Sequence, residues 1–198
     1  GLLEEVAANV PRLDYSDGSC PSLLLEGTAT NLITYSENFS DASWIKSNSS
    51  VVSGFTSPSG DVSAFKLVEG ASNSQHRIKA NFTAVTNNTV SVFVKQNTKS
   101  KILLFNGNAG YGFDLANSTT SAVAGVNAPD SFNIESYGNG WYRCSISHSS
   151  ANSIEVYLLN DFITTYVYQG DGTSGVYIYG AQIEENSHAT SYIKTVGS

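Results

Sequence analysis

The stretch TVSVFVKQNTKSKILLFN, residues 89–106, decides the fold class of this chain. Valine alternates with other residues up to Gln96, and apolar residues dominate again from Lys101 onward. Successive side chains of a β-strand point to opposite faces of a sheet, so the stretch predicts two strands joined by a polar turn. No segment of the chain has a sustained helical period, and we therefore expect an all-β protein.

Further strand-like runs follow on both sides of this stretch, with turns about ten residues apart, a spacing typical of sandwiches. This pattern predicts two packed antiparallel sheets, a β-sandwich of the jelly-roll type. An up-and-down barrel or a propeller is less favoured, because no blade period appears. The ten predicted strands are 63–70, 76–84, 89–97, 101–106, 110–116, 131–138, 141–147, 154–161, 163–170 and 175–185.

Composition excludes several classes of protein. Ser, Asn and Thr account for 63 of the 198 residues, yet 40% of the chain is hydrophobic, which is enough to build a core and excludes wholesale disorder. The net charge of −7, with only 10 basic residues, makes nucleic acid an unfavourable partner. No run of about 20 apolar residues exists, so we expect no membrane insertion.

The first 30 residues differ from the rest and are expected to form an arm or connector before a single domain at 31–198. The segment LLEEVAANV (2–10) predicts a short helix or an extended arm, and the prolines after it punctuate turn-rich stretches. The arm's apolar residues are expected to form a strip between subunits. These residues are Leu2, Leu3, Val6 and Val10.

Two cysteines, Cys20 and Cys144, are too few for a disulfide framework in a domain of this size. Cys144 lies in the strand-like run WYRCSIS, so a free buried thiol is favoured over a bridge to Cys20. No Cys or His spacing suggests a zinc site.

Catalytic signatures are lacking, and we expect a chain without enzymatic activity. No serine lies in a nucleophile motif of the GxSxG type. The carboxylates fall at strand ends, and no pair stands out as the two facing groups of a glycosidase.

A sugar-binding groove is one interpretation of the strand faces that do not carry the aliphatic residues. Sugars pack on aromatic rings, while amides, carboxylates and Arg bond their hydroxyls. The alternative is that Trp141 covers a sheet edge and Arg143 pairs with Glu155 across strands. The groove residues would be Phe93, Lys95, Trp141, Arg143, Glu155 and Tyr157.

The segment DFITTYVYQGDG (161–172) is a second candidate for sugar binding. Asp161, Tyr166 and Tyr168 crowd a predicted strand and its loop, and alternation places the two tyrosines on one face. They are either core residues of one sheet or a platform for a sugar. Trp44 follows the turn NFSDASW and is expected to plug the end of the sandwich.

Three segments carry a resemblance to a known family. They are NLITYSENFSDASWIK (31–46), GNGWYRCSIS (138–147) and GVYIYGAQIEENSHATSYIKT (175–195). Together they resemble the carbohydrate-binding-module type of jelly roll found in phage tail fibres, tailspikes and other phage structural proteins. The preceding ANVPRLDYSDGSCPSLLLEGTATN (8–31) resembles the connecting segment placed before such modules in phage proteins.

The resemblance implies a glycan-binding domain on a phage fibre, which is usually a homotrimer. It places the protein on the virion after assembly in the bacterial cytoplasm, with secretion as the alternative. Similar modules often hold a structural calcium near their first and last strands, and calcium prefers oxygen ligands. Here Glu37 and Asp41, with Gln182 or Glu184, would supply them. No other cofactor is expected.

Three functions therefore remain open. The first is non-enzymatic adhesion to a cell-surface glycan, strengthened by the several copies on one fibre. The second is a purely structural role in a fibre or in capsid decoration, since fold does not settle function. The third is an accessory module of a bacterial enzyme that degrades polysaccharides.

Overall fold

The computed structural model describes residues 3, 4, 6, 10, 13–14, 20, 22–24, 26–163 and 166–197. This part of the chain contains strands and no helix, which confirms the all-β expectation. The strands are β1 (Leu13–Asp14), β2 (Ser22–Leu23), β3 (Trp44–Ser47), β4 (Ser49–Phe55), β5 (Ala64–Glu69), β6 (Asn73–Ser74), β7 (Arg77–Gln96), β8 (Lys101–Phe105), β9 (Gly110–Asp114), β10 (Thr119–Ser121), β11 (Ser131–Ser136), β12 (Trp141–Leu159), β13 (Tyr168–Gln169) and β14 (Gly175–Glu184).

Ten of these strands form one antiparallel sheet that curls strongly into a half-barrel. Its hydrogen-bonded order is β10-β9-β8-β12-β7-β14-β5-β4, with β11 beside β12 and β3 beside β7. The other described sheets contain two strands each, β1 with β2 and β6 with β13. The expected pair of stacked sheets is therefore replaced, in the hydrogen bonding of the described residues, by a single curled sheet.

Two long strands give the sheet its curl. Strand β7 has 20 residues and β12 has 19, and they pair with each other along most of their length. The first half of β7 also pairs with β3 and its second half with β14. On its other side β12 pairs first with β11 and then with β8. Each long strand thus serves two different sets of neighbours.

The sequence wrongly predicts four separate strands where these two long strands lie. A polar stretch in the middle of β7 resembles a turn, but the backbone bends there without leaving the sheet. Asn87 adopts a positive φ of 49°, and the register between β12 and β7 shifts between Ala151 and Ser153. Such irregularities bend a strand and increase its twist while pairing continues on both sides.

Two other segments also differ from expectation. Among the described residues of the predicted strand at 163–170, only Tyr168–Gln169 form a strand. Strands β3 and β4, by contrast, lie in a serine-rich segment where no strand was predicted. Serine is typical of turns, and here pairing with β7 and β5 overrides that local preference.

The concave side of the curled sheet holds the central core. Apolar side chains of β5, β7, β8, β12 and β14 meet there, together with Phe39 and Trp44. Trp44 is 1% exposed, and its indole N–H donates to the Tyr35 carbonyl over 2.9 Å. The tryptophan therefore belongs to the central core, where its ring centroid lies 4.7 Å from that of Phe39.

Two smaller apolar clusters cover the convex side. One gathers around Phe93, Trp141 and Tyr179, and we call it the Phe93 cluster. The other gathers around Leu103 and Tyr157, and we call it the Tyr157 cluster. The two faces predicted from alternation in β7, β8 and β12 are confirmed, because aliphatic residues face the central core and the alternate set faces these clusters.

Both cysteines are free. Cys20 is exposed and Cys144 lies buried in the central core, which confirms the expected buried thiol. Burial raises the pKa of the Cys144 thiol well above its usual value.

Half of the predicted arm, including Leu2, lies outside the described residues. Leu3 packs against the Phe93 cluster, and its amide donates to the Pro58 carbonyl over 3.0 Å. Val6 and Val10 are 43% and 55% exposed. No helix in the described ranges is long and apolar enough to cross a membrane.

Candidate functional site

The six residues of the predicted groove do not form one open surface. Trp141, Arg143 and Phe93 belong to the half of the sheet where β12 pairs with the end of β7. Glu155 and Tyr157 lie at the other end of β12, opposite the start of β7. All five are buried, and Lys95 is partly buried. A glycan-binding role for Trp141, Arg143, Lys95 and Tyr157 stays a prediction.

Arg143 fixes the C-terminal segment to the sheet. Its guanidinium donates to the Ser91 hydroxyl over 3.0 and 3.3 Å and to the Thr190 carbonyl over 2.5 Å. The guanidinium carbon lies 5.4 Å from the centroid of the Phe93 ring. The expected ion pair between Arg143 and Glu155 is wrong, because the two residues lie in different halves of β12.

Glu155 is instead the centre of a buried network in the other half of the sheet. Its carboxylate pairs with Arg77 at 2.7 Å and Lys79 at 3.1 Å. It also accepts hydrogen bonds from the hydroxyls of Ser153 and Tyr157. Burial, reinforced by the Glu155 charge, raises the pKa of Tyr157. This network bridges neighbouring strands and has a structural use.

The tyrosines of the second candidate segment face different surroundings. Tyr166 packs on Tyr157, with ring centroids 5.5 Å apart. Tyr168 donates its hydroxyl to Glu69 over 2.6 Å, and the Lys99 ammonium lies over its ring. The expectation that both tyrosines share a face is wrong, because only Tyr168 belongs to a strand.

Asp161, the first of the two aspartates in this segment, accepts a hydrogen bond from the Ile163 amide over 2.9 Å. It caps a local turn. Its predicted role in sugar binding stays a prediction.

Calcium binding by Glu37 and Asp41, with Gln182 or Glu184, stays a prediction. In the described ranges no group of three or more His, Cys, Asp or Glu side chains could hold a metal ion. Glu37 binds Lys194 and tyrosine hydroxyls, and Glu184 accepts hydrogen bonds from Thr190. Asp41 is engaged by the Ser43 amide over 2.8 Å. Each carboxylate therefore already has partners from the protein itself.

A groove of about 660 Å³ on the convex side is the strongest candidate site, and we call it the tyrosine groove. Three tyrosines from distant parts of the sequence line it around the buried Phe93 ring, whose centroid lies 4.9–6.0 Å from theirs. The groove is lined by Leu3, Glu4, Val6, Val10, Glu37, Ser59, Asp61, Tyr137, Tyr179, Ser191, Tyr192 and Lys194.

Glu37 organises the floor of the tyrosine groove. One of its oxygens accepts the Tyr179 hydroxyl over 2.6 Å and the Tyr192 hydroxyl over 3.2 Å. The other oxygen pairs with the Lys194 ammonium at 2.6 Å. Burial, with a further contribution from Glu37, raises the pKa of both phenols, so they remain hydrogen-bond donors at neutral pH.

Asp61 holds one wall of the tyrosine groove in place. Its carboxylate accepts the hydroxyls of Ser57 and Ser63, and these hydrogen bonds lower the pKa of Asp61. The groove therefore combines aromatic rings with charged donors and acceptors that are already oriented. That combination suits a ligand with both apolar faces and many hydroxyls.

A second hollow of about 400 Å³ adjoins the tyrosine groove, and we call it the valine pocket. Val62 and Val196, at 70% and 74% exposed, lie on its rim. The Glu37–Lys194 pair lines both hollows.

The sequence contained one signal for this site. In GVYIYG (175–180), Val176 and Ile178 face the central core, so alternation places Tyr177 and Tyr179 on the convex side. Nothing in the sequence indicates that Tyr137 and Tyr192 would join Tyr179, because that depends on how the C-terminal segment folds back.

Comparison with known proteins gives no guide to function, so the geometry of the tyrosine groove is the basis for the proposal below. A scan against protein-family models finds no match to this chain, and a search of curated proteins finds none either.

Proposed function

We propose that this chain is a non-enzymatic glycan-binding domain of a phage fibre, and that the tyrosine groove is its binding site. The observation that carries the proposal is the convergence of two half-buried rings, Tyr137 and Tyr192, on one groove whose floor holds the buried Tyr179 and an oriented carboxylate and ammonium. Aromatic rings provide contact for the C–H faces of sugars, and charged groups bond their hydroxyls. The phage context rests on the resemblance of the segments 8–46, 138–147 and 175–195.

The jelly-roll interpretation of the fold belongs to the same proposal. Because β7 and β12 each serve two sets of neighbours, the curled sheet divides into two halves that enclose the central core. We propose that these halves correspond to the two sheets of a carbohydrate-binding-module jelly roll.

The absence of enzymatic activity is also a proposal, supported by the use of the buried carboxylates. Glu37, Glu69 and Glu155 each bind a lysine or arginine and a tyrosine hydroxyl of the protein. Those contacts hold strands and loops together. A turnover assay on bacterial surface polysaccharides is expected to release no product.

We further propose that the protein assembles as a homotrimer through its arm. The support is the exposure of two apolar arm residues that do not line the tyrosine groove, Leu13 and Leu23, which would be covered in an assembly. Their exposed fractions are 50% and 54%. Light scattering after size exclusion is expected to show a trimer that replacement of both leucines by serine weakens, and a monomeric wild type would contradict this proposal.

Location on a virion assembled in the bacterial cytoplasm is consistent with the unpaired cysteines. Cytosolic proteins keep their thiols reduced, whereas secreted domains tend to form disulfides. The acidic net charge of −7 gives no attraction to nucleic acid.

A purely structural role is the second candidate, and the exposed apolar residues of the arm favour it. An array of bacterial glycans, followed by retardation in polysaccharide gels, separates the two functions. If the wild-type chain binds no glycan, the structural role replaces the proposed one.

The binding site itself is tested with Tyr137→Ala. Loss of one aromatic contact is worth about 1 kcal/mol, so we expect affinity to fall about fivefold. The matched control is Phe132→Ala, which removes a 43% exposed ring that stacks on Tyr111 and does not line the groove. Equal affinity for Tyr137→Ala and the control would contradict the site assignment.

A further inference from the structure

The tyrosine groove and the valine pocket share more than an ion pair. The loop at 57–63 supplies Ser59 and Asp61 to the groove and Val62 and Ser63 to the pocket. On the opposite side, the segment at 191–196 lines the groove with its first residues and the pocket with its last. The same two walls therefore continue from one hollow into the other.

The loop wall is fixed by hydrogen bonds within the loop. The Ser57 amide donates to the Asp61 carbonyl over 2.9 Å, and the Asp61 carboxylate accepts the Ser57 hydroxyl over 2.5 Å. The loop is thereby closed on itself between the two hollows.

The C-terminal wall is fixed to the body of the domain. The Ile193 amide donates to the Gln182 side chain over 2.6 Å, and the Thr195 amide donates to the Ser36 hydroxyl over 2.8 Å. Both walls are thus held before any ligand arrives, and a preformed path loses less entropy on binding.

The crossing point between the hollows has the chemistry of a sugar contact. Glu37 provides an acceptor, and Lys194, whose side chain is 54% exposed, provides a donor 2.6 Å away. An adjacent acceptor and donor match neighbouring hydroxyls on a sugar ring, each of which both donates and accepts.

We infer that the two hollows are successive subsites of one path, which holds an internal stretch of a linear glycan without acidic groups. Among the described residues, the path carries the carboxylates of Glu4, Glu37 and Asp61 against one ammonium, that of Lys194. Like charges repel, so a chain of uronic or sialic acids is disfavoured. This inference rests on the proposed function and adds the length and charge of the ligand.

The test uses the full chain and size ladders, from monosaccharide to hexasaccharide, of neutral cello-, xylo-, malto- and chito-oligosaccharides, with a polygalacturonate ladder as the acidic probe. We expect affinity for a neutral ladder to rise about tenfold between the disaccharide and the hexasaccharide. We expect no comparable binding of the acidic ladder.

The variant Val62→Arg separates the two subsites. The arginine fills the valine pocket and is expected to reduce affinity for the hexasaccharide to that for the disaccharide, while leaving the disaccharide unchanged. Val52→Arg is the matched control, because Val52 is 50% exposed on β4 and lines neither hollow. Both variants replace exposed side chains, and equal melting temperatures establish that both are folded.

The outcomes separate this inference from the proposed function. If no neutral ladder binds the wild-type chain but a glycan of the bacterial array does, the inference of a neutral linear ligand is overturned and the proposed function stands; if neither the ladders nor the array binds, the proposed function fails. If a neutral ladder binds but its affinity does not depend on length, or Val62→Arg behaves as the control, only the inference of a continuous path is overturned. Equal binding of the acidic ladder overturns the charge preference.

Discussion

The substitution Arg143→Met tests whether this arginine holds the fold together or contacts a ligand. Sequence reasoning placed Arg143 in a sugar-binding groove, whereas the structure buries it, at 5% exposed, between the sheet and the C-terminal segment. Methionine keeps much of the apolar stem that packs in this position and removes the guanidinium. The substitution therefore removes hydrogen bonds and charge with little loss of packing.

The magnitude follows from the contacts of the guanidinium. It makes two hydrogen bonds to Ser91 and one to the Thr190 carbonyl, and it lies 5.4 Å from the centroid of the Phe93 ring. Hydrogen bonds to a charged group contribute about 1.5–3 kcal/mol each, and relief of the buried charge offsets part of that loss. We expect the free energy of unfolding to fall by about 3 kcal/mol, which lowers the melting temperature by about 9 °C for a chain of this size.

The assay uses the two tryptophans of the chain, Trp44 and Trp141, which are both buried and change their emission on unfolding. Arg143→Lys is the control, because lysine keeps the charge but cannot form the forked contact, and about half of the loss is expected. If Arg143→Met melts at the same temperature as the wild type but no longer binds glycan, the structural role of Arg143 is refuted and its role as a ligand contact is supported.

Three further predictions concern pH, thiols and packing. Hydrogen bonds from Ser174 and its neighbours lower the pKa of Asp171. The stability that Asp171 contributes is therefore present above the usual aspartate pKa and is lost as pH falls through the lowered value. The urea midpoint of Asp171→Asn should depend less on pH below about 4 than that of the wild type, and an equal pH dependence of the two midpoints would contradict this. In the native protein Cys20 should react with a thiol reagent while Cys144 reacts only in denaturant, and two reactive thiols in the native state would show that the burial is wrong. Gly175→Ala should unfold the domain or strongly lower its melting temperature, because a Cβ there would lie 1.9 Å from the Leu67 carbonyl oxygen, and a wild-type melting curve would show that the backbones are further apart.

The faces of the strands could be predicted from the sequence because the face that is buried carries apolar residues at every second position. In β12, Cys144, Ile146 and Ile154 face the central core, as alternation indicates, while Glu155 and Tyr157 face away from it. The period of two in a strand is enough for such an assignment. It does not reveal what covers the opposite face.

The candidate site could not be predicted as a whole because it depends on segments that fold back over the convex side. The strand pattern predicts that Trp141 and Arg143 are exposed, but the C-terminal segment around Thr190 and Tyr192 covers their half of the sheet. The same segment brings Tyr192 beside Tyr179. Local patterns cannot encode such long-range cover, so alternation alone cannot distinguish a buried residue from one that lines an open surface.

The shared use of β7 and β12 has a consequence for how the chain reaches its native state. Paired residues of these strands are separated by 46 positions at one end, from 95 to 141, and by 80 at the other, from 77 to 157. Such a topology has high contact order, and closing these loops before contacts form makes folding slow. On the ribosome the first half of β7 has no partner on β12 until residues 153–157 have been synthesised. Strand β14, which joins β7 to β5, follows later still, so the sheet cannot close before residue 184 has been made. Until then the nascent β7 lacks partners along much of its length, and its apolar face is a surface that a chaperone would cover.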